Sequence, residues 1–284
     1  MDIFFFYGGF LICKSVCRLK TFRAYFRARI LRIFPPLFII CAILTFFVGA
    51  VLTELTVTQY FTDAGTYKYL LNSFLILQRD LPGVFIHNIY GSVVNGSLWT
   101  LPVEFICYIM CYVIYKFDWL KDQNIKWLTA FFIVGCLGIR ILSGWVPVLS
   151  AVITPISLFY EGILCFKYRN KIKLNLSVCM MMLFGMITSV AIGVAQYTVF
   201  MFLPYILLYI GYVSKYKFFR FANKAEISYG MYLCAFPVQQ IVCHLWGGKM
   251  NPYMNFLVSM PVIVMLGWIC YRIVEKPMAR WMKK

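Results

Sequence analysis

The stretch LSVCMMMLFGMITSVAIGVA, residues 176–195, decides the class of fold, because none of its twenty residues carries a charge. A helix of this length is about 30 Å long, which matches the hydrocarbon core of a bilayer. Apolar stretches of comparable length lie at residues 33–52, 98–115, 127–146, 148–166, 198–213, 227–245 and 253–273, and a shorter one lies at residues 3–13. The sequence therefore predicts an all-α, polytopic transmembrane helical bundle with about nine spans.

The composition excludes the soluble classes of protein. Hydrophobic residues make up 62% and charged residues 13% of the 284 residues, and the mean hydropathy is +0.80, whereas a soluble domain is roughly a quarter charged. A cytosolic enzyme, a secreted domain and a free nucleic-acid binder are therefore excluded, and we expect no nucleic-acid partner despite the net charge of +17. Most of the eleven cysteines lie inside apolar stretches, no Cys-x-x-Cys pair occurs and only two histidines are present, so we expect no metal site.

The basic residues predict the orientation of the chain. They cluster on alternate connections between the apolar stretches, which the positive-inside rule places in the cytoplasm. The clusters are Lys14, Arg18, Lys20, Arg23, Arg27, Arg29 and Arg32; Lys116, Lys121 and Lys126; Lys167, Arg169, Lys171 and Lys173; Lys215, Lys217, Arg220 and Lys224; and Arg272, Lys276, Arg280, Lys283 and Lys284. The C-terminus is therefore expected in the cytoplasm and Met1 outside. Because residues 3–13 span only about 16 Å, we expect them to end a helix that begins upstream, and a tenth helix would restore a cytoplasmic N-terminus.

Three charged residues lie well inside predicted spans, away from the basic clusters at the span ends: Glu104, Arg140 and Glu161. A charge deep in a bilayer costs about 3 kcal/mol, so such residues are candidates for function. Structural roles compete with this interpretation. Glu104 and Arg140 could pair as a link between helices, and Arg140 could extend to the outer surface. Glu161 precedes Gly162, which permits close contact between helices.

Polar residues concentrate in the ten positions that end at Glu104. They are Asn95, Ser97, Trp99 and Thr100, at the external end of a predicted span. Pro102 removes a backbone donor from the same stretch, so we expect a Ser, a Thr or a water molecule to satisfy the freed carbonyl. This density of polar groups at membrane depth predicts a functional site.

Two arginines and two histidines are further candidates. Arg29 and Arg32 are three residues apart and share a helix face at the cytoplasmic surface, where paired guanidinium groups suit the phosphates of a ligand or lipid headgroups. His87, in the external segment 53–97, and His244, near the outer end of a span, could each act as a general base. A structural role is the more common one for a histidine at a membrane interface.

Five sequence elements resemble those of the acyltransferase-3 family of integral membrane acyltransferases, which includes O-acetyltransferases of bacterial surface polysaccharides. The elements are residues 4–12, similar to Phe-Phe-x-x-Ser-Gly-Phe-Leu-Ile with Gly8 in place of Ser; Arg29-x-x-Arg32-Ile-Phe-Pro35; Asn95-Gly-Ser-Leu-Trp-Thr-Leu-Pro-Val-Glu104; Ile227-Ser-Tyr-Gly-Met-Tyr-Leu233, followed by Phe236-Pro237; and Val274-Glu275-Lys276-Pro277. Each element is weak evidence by itself. Together they occur in the family's order and extend over essentially the whole chain.

The resemblance implies a function and a set of site residues. It implies that residues 1–284 form a single membrane acyltransferase-like domain in the bacterial inner membrane. The domain would transfer an acetyl group from acetyl-CoA to a hydroxyl of a surface polysaccharide or a lipid-linked sugar. Arg29 and Arg32 would hold the phosphates of the donor, and Ser97, Trp99 and Glu104 would form part of the acyl-transfer site.

The chain also departs from the family pattern. The family's first helix carries Arg/Lys-x10-His, whose histidine acts as the base, and no residue of this sequence matches it. We therefore expect the domain to be truncated at its N-terminus relative to the ten-helix family, with His87 or His244 as possible substitute bases. Three alternatives to an active enzyme remain at this point: a transporter or flippase of lipid-linked sugars, although we find no internal repeat; a polysaccharide polymerase with a large external loop; and an inactive remnant.

Overall fold

The computed structural model describes residues 1–142, 147–213 and 227–281. Within these ranges the regular structure is helical, apart from two isolated bridges that join Thr53 to Val84 and Asp80 to Val93. The helical stretches long and apolar enough to cross a membrane are Phe22–Leu52, Gly96–Lys116, Ala151–Tyr168 and Pro252–Trp281, and two shorter apolar ones are Leu176–Ala191 and Thr198–Tyr212. The predicted all-α, polytopic architecture agrees with this arrangement.

The chain divides into two compact units. The first comprises Met1–Tyr25 and Val103–Tyr216, and the second comprises Phe26–Pro102 and Lys217–Lys284. The helices that lie in the first unit or enter it are α1 (Asp2–Leu19), α6 (Thr100–Lys116), α7 (Asp122–Leu142), α8 (Pro147–Tyr168), α9 (Leu176–Ala191) and α10 (Ala195–Val213). Helix α9 packs against α10, and α1 packs against α8.

Glycines allow α1 and α8 to approach backbone to backbone. A Cβ on Gly9 would lie 1.9 Å from the carbonyl oxygen of Phe159, and a Cβ on Gly162 would lie 2.2 Å from that of Phe6. The close contact predicted at Gly162 is therefore confirmed. Helix α1 has 18 residues, about 27 Å, so the apolar stretch 3–13 was a poor measure of its length. The helix continues past Cys13 through Lys14 and Arg18 to Leu19.

The second unit contains most of a long helix and the helices of the C-terminal region. The long helix consists of α2 (Phe22–Ile43), a π-helical turn (Leu44–Val48) and α3 (Gly49–Leu52). The C-terminal helices are α11 (Ser228–Leu245), α12 (Pro252–Cys270), a second π turn (Tyr271–Glu275) and α13 (Lys276–Trp281). Both π turns border one apolar cleft of about 260 Å³, to which they contribute Leu44, Val48, Ile273 and Val274.

A tyrosine from the external segment stabilises the first π turn. The hydroxyl of Tyr60 donates to the carbonyl oxygen of Thr45 (2.8 Å), inside the turn. A π turn disturbs the regular i to i−4 ladder, so an outside donor at this point satisfies part of the backbone. Burial of Tyr60 raises its pKa to about 12, which keeps the hydroxyl a donor. A Cβ on Gly49 would lie 2.0 Å from this hydroxyl, so only glycine leaves room for it.

Residues 53–97, the segment predicted to be external, form short helices of their own. These are α4 (Val57–Thr62), α5 (Ala64–Lys68) and a 3₁₀ helix (Tyr69–Phe74), which ends at Leu75 in a left-handed conformation with φ 64°. The apolar stretch 69–77, which is too short to span, thus contains a tight helix whose Tyr69 is fully buried. The segment is attached to α11, because Asn88 Nδ2 donates to Oε1 of Gln240 (2.9 Å).

Six of the basic residues that predict the orientation of the chain lie outside the described residues. They are Lys215, Lys217, Arg220, Lys224, Lys283 and Lys284. Arg140 belongs to α7, but its side chain also lies outside the described ones, so the pair that we predicted between Arg140 and Glu104 stays a prediction. The cytoplasmic location of the C-terminus stays a prediction as well.

Candidate active site

Residues 95–99 form a capped 3₁₀ turn that leads into α6. Asn95 is buried, and its side-chain oxygen accepts a hydrogen bond from the main-chain N–H of Ser97 (3.1 Å). This is the usual cap of a helical N-terminus. Helix α6 then begins at Thr100, so Pro102 lies in the first helical turn, where no intrahelical bond needs its missing N–H. The additional donor that we predicted for Pro102 is therefore not required by α6 itself.

The same turn supplies a hydrogen-bond donor that α11 lacks. Pro237 lies inside α11 and has no N–H, so it leaves the carbonyl of Leu233 without its helical donor. The Nδ2 group of Asn95 donates to that carbonyl oxygen (2.9 Å). A carbonyl at membrane depth must find a partner within the protein, since no water is available to it. One buried asparagine thus caps the 3₁₀ turn with its oxygen and completes α11 with its nitrogen.

Tyr232 holds the turn from the same helix. Its hydroxyl donates to the carbonyl oxygen of Ser97 and also contacts the hydroxyl of Thr100. Gly96 faces the ring of Phe236, which a Cβ would approach to 2.9 Å. Two elements of the resemblance, residues 97–104 and 228–237, are therefore brought into contact. Tyr232 is a site residue that we did not single out, although it belongs to the Ser-Tyr-Gly-Met-Tyr-Leu element.

Of the predicted site residues in this turn, Ser97 is held through its main-chain groups. Its N–H bonds to Asn95 and its carbonyl to Tyr232. Trp99, the last residue of the 3₁₀ turn, is half-buried. The turn would therefore keep its shape if the hydroxyl of Ser97 were removed.

The two candidate arginines both lie in α2. Arg29 is buried, with 9% of its surface exposed, and Arg32 is half-buried. An anchor for lipid headgroups would keep its guanidinium at the surface, so the burial of Arg29 argues against that alternative. The next residue of α2, Ile33, is attached to α11 through the hydroxyl of Tyr229, which donates to its carbonyl oxygen (3.0 Å). This bond fixes the axial position of the arginines relative to α11.

Glu104 lies in the part of α6 that belongs to the first unit. It is buried, with 6% of its surface exposed, and its Oε1 accepts a hydrogen bond from the hydroxyl of Tyr108, one turn later. The carbonyl oxygen of Tyr108 accepts in turn from the hydroxyl of Tyr25 (2.9 Å), a fully buried residue. A carboxyl group can exchange a proton with a substrate hydroxyl that comes within hydrogen-bond distance of it.

The remaining candidates have different surroundings. His87 Nε2 lies 3.3 Å from Oε1 of Glu54, and the side chain of His87 is 75% exposed. The ring of His244 meets that of Phe85 edge to face, with 5.7 Å between the centroids. Glu161 lies in α8 and borders a separate cavity. Among the described residues, no group of three or more His, Cys, Asp or Glu side chains could hold a metal ion.

Comparison with known proteins gives one family and one relative. The family model described as an acyltransferase domain, that of the acyltransferase-3 family, matches residues 1–272. A protein named O-acetyl transferase, from Shigella phage Sf6, is 28% identical over 280 residues, which cover 96% of this chain and 82% of the phage protein. No solved structure matches the chain.

Proposed function

The chain belongs to the acyltransferase-3 family and is a membrane O-acetyltransferase, and from this premise we propose its donor, its acceptor and its site. The donor is acetyl-CoA. The acceptor is a hydroxyl group of a cell-surface polysaccharide or of a lipid-linked sugar. The observation that carries the proposal is the buried junction of the turn 95–99 with α11, which places Ser97 and Trp99 on a rigid support.

The reaction needs three kinds of group from the protein. The acceptor oxygen forms a bond to the acetyl carbon, the bond from that carbon to sulfur breaks, and the proton of the acceptor hydroxyl is transferred to the departing thiolate by way of a base. Negative charge develops on the acetyl oxygen in between, and fixed hydrogen-bond donors stabilise it. Phosphate groups of the donor need cationic partners.

We assign the hydrogen-bond donors that stabilise the oxyanion to the 3₁₀ turn 95–99. The hydroxyl of Ser97 and the indole N–H of Trp99 would stabilise the developing oxyanion. Donors are effective in this role when the protein fixes them before the reaction begins. The bonds that Asn95 and Tyr232 make with the main chain of Ser97 fix the backbone that carries these two side chains.

We assign the handling of the proton to Glu104. Its bond with Tyr108 orients the carboxyl group, which would take the proton of the acceptor hydroxyl. We assign the binding of donor phosphates to Arg29 and Arg32. The resemblance implies these assignments, and the burial of Glu104 and Arg29 supports them, because buried charges at membrane depth are retained for function.

The proposal includes a location and a topology. The chain would lie in the bacterial inner membrane as one acyltransferase domain with about nine spans, its C-terminus in the cytoplasm. The donor would then approach from the cytoplasmic side, where α2 carries Arg29 and Arg32.

Substitution of Glu104 tests the proposal most directly. We expect Glu104→Gln to lower the rate of acetyl transfer by about 100-fold or more, since general acid–base catalysis contributes that much. Membranes that contain the chain would be incubated with acetyl-CoA labelled in the acetyl group, and label would be counted separately in lipid and polysaccharide fractions. Glu54→Gln is the matched control, because Glu54 is 45% exposed and makes a surface ion pair. Full activity of the Glu104 variant would overturn its assignment.

The same assay separates the alternatives. A flippase or a polymerase would move or lengthen sugars without incorporating label, and an inactive remnant would show neither effect. Variants His87→Ala and His244→Ala test the substitute bases. The contact of His87 with Glu54 and the ring contact of His244 with Phe85 favour structural roles, so we expect both variants to retain most of the activity.

A further inference from the structure

A cavity of about 270 Å³ lies between α7 and α8 in the first unit, and none of the residues assigned to acetyl transfer is among its described lining residues. Its walls are mainly apolar and include the rings of Phe132 and Phe200. Ile133 on its border is 54% exposed, so the cavity is open to the surroundings of α7. Glu161 of α8 contributes the one carboxyl group of its lining.

One oxygen of the Glu161 carboxyl group lacks a hydrogen-bond donor among the described residues. This oxygen, Oε2, is buried. The other polar groups of the wall pair with each other: the hydroxyl groups of Thr129 and Tyr160 are 2.8 Å apart, and Cys136 Sγ lies 3.5 Å from Ser157 Oγ. A buried carboxyl oxygen without a donor is costly, so this arrangement favours a ligand that brings one.

Three lysines lie near the end of the α7–α8 pair at which α7 begins and α8 ends. Lys167 Nζ lies 2.9 Å from Oδ1 of Asp122. Lys167, and more weakly Lys171 and Lys126, lower the pKa of the Asp122 carboxyl, because their positive charges favour its ionised form. Glu161 is six residues before Lys167 in α8, about 9 Å deeper along the helix. Side chains of a helix lean toward its N-terminus, so Lys167 leans from the rim toward the level of the cavity.

We propose that the cavity binds the headgroup of a phospholipid that carries a primary amine, such as an ethanolamine phospholipid. Its ammonium group would donate to the carboxyl group of Glu161, which lines the cavity, and its phosphate would meet the lysine rim formed by Lys126, Lys167 and Lys171. The two ends of the headgroup then complement the two charges of the site, and the rings of Phe132 and Phe200 add favourable faces for a cation. The lipid chains would leave the cavity past Ile133. This inference does not depend on which acceptor receives the acetyl group.

A series of headgroups on the wild-type chain gives the first test. The chain in detergent would be mixed with equal concentrations of ethanolamine, choline or glycerol phospholipid, and bound lipid would be counted by native mass spectrometry. We expect one ethanolamine lipid to remain bound, with at least about tenfold weaker binding of the choline lipid, which has no N–H to donate, and of the glycerol lipid, which has no positive charge. Equal binding of all three would overturn the proposal, and so would preference for the glycerol lipid, which would assign the binding to the lysine rim alone.

The variant Glu161→Gln gives the second test. It keeps the size of the side chain and removes its charge. We expect it to weaken binding of the ethanolamine lipid about tenfold and to leave that of the other two lipids unchanged, whereas Glu54→Gln changes none of them. Unchanged binding in the Glu161 variant, or an equal loss for all three lipids, would show that Glu161 has only a structural role. If the variant failed to fold, the headgroup series on the wild-type chain would still decide.

Discussion

The bond from Asn95 to α11 can be tested by measuring the energetic coupling between substitutions of Asn95 and Pro237. Asn95 donates to the carbonyl of Leu233 (2.9 Å) because Pro237 has no N–H to offer it. Replacing Pro237 with Ala supplies that N–H from within α11. The two residues, 142 positions apart in the sequence, should therefore depend on each other.

The expected magnitude follows from the two bonds of Asn95. Asn95→Ala removes the cap on Ser97, worth about 1 kcal/mol. It also removes the bond to Leu233, which leaves a buried carbonyl unsatisfied at a cost of about 1–3 kcal/mol. The single variant should thus lose about 2–4 kcal/mol of stability. In the Pro237→Ala background the same change should cost about 1 kcal/mol, because only the cap is lost. The coupling energy is then about 1–3 kcal/mol.

Thermal unfolding of the four chains in detergent measures this coupling. The chains are the wild type, Asn95→Ala, Pro237→Ala and the double variant. Asn95→Asp is a second comparison, because it keeps the capping oxygen but sets a carboxyl oxygen against the carbonyl of Leu233 in place of the donor; it should be at least as destabilising as Asn95→Ala. If the effects of the two substitutions simply add, the bond to Leu233 does not compensate for the proline and the argument is wrong.

Further predictions concern glycine packing, the turn and the donor site. Gly9→Ser should destabilise the protein by about 1–3 kcal/mol or more, because a Cβ there would lie 1.9 Å from a carbonyl oxygen. Gly8→Ser should be tolerated, because a Cβ there would lie 3.5 Å from its nearest neighbour. Equal melting temperatures of the two variants would contradict the contact between α1 and α8. Tyr232→Phe should lower kcat of acetyl transfer and leave KM for acetyl-CoA unchanged, since it loosens the turn and not the donor site; a change in KM alone would refute this. Replacing Arg29 and Arg32 together by Ala should mainly raise KM for acetyl-CoA, by about tenfold or more, and an unchanged KM would favour a role at the lipid surface.

Hydropathy predicted where the helices lie but less well where they end. Each apolar stretch corresponds to a helix of the described chain, because about 20 apolar residues in lipid have few other ways to satisfy their backbone. The predicted span 33–52 begins eleven residues too late, since α2 starts at Phe22. The basic residues of that first part lower its hydropathy, but they do not interfere with helical hydrogen bonds. Hydropathy measures which residues can contact lipid, and helix ends are set by local hydrogen bonding.

The sequence indicated candidate site residues but not the contacts that those residues make. The Ser-Leu-Trp-Thr-Leu-Pro-Val-Glu element indicated Ser97, Trp99 and Glu104, yet nothing in the local sequence indicates that Asn95 donates across 138 positions to Leu233. Glu161 was interpreted chiefly through Gly162. The structure confirms the close packing at Gly162, but it also leaves one oxygen of Glu161 buried without a partner among the described residues. Sequence patterns identify polar residues at membrane depth, and only the packed structure shows which of them lack partners.

The elements that carry the resemblance therefore contain two kinds of residue. Asn95 and Gly9 close backbone hydrogen bonds or allow backbones to touch, and lipid makes both functions necessary because it offers no water to replace them. Ser97 belongs to the second kind, since its main-chain groups hold the turn while its hydroxyl is not needed for that purpose. A Ser97→Ala variant should accordingly keep the stability of the wild type and lose acetyl transfer, whereas Asn95→Ala should lose both. Measuring stability and activity together on this pair separates residues that build the site from residues that act in it.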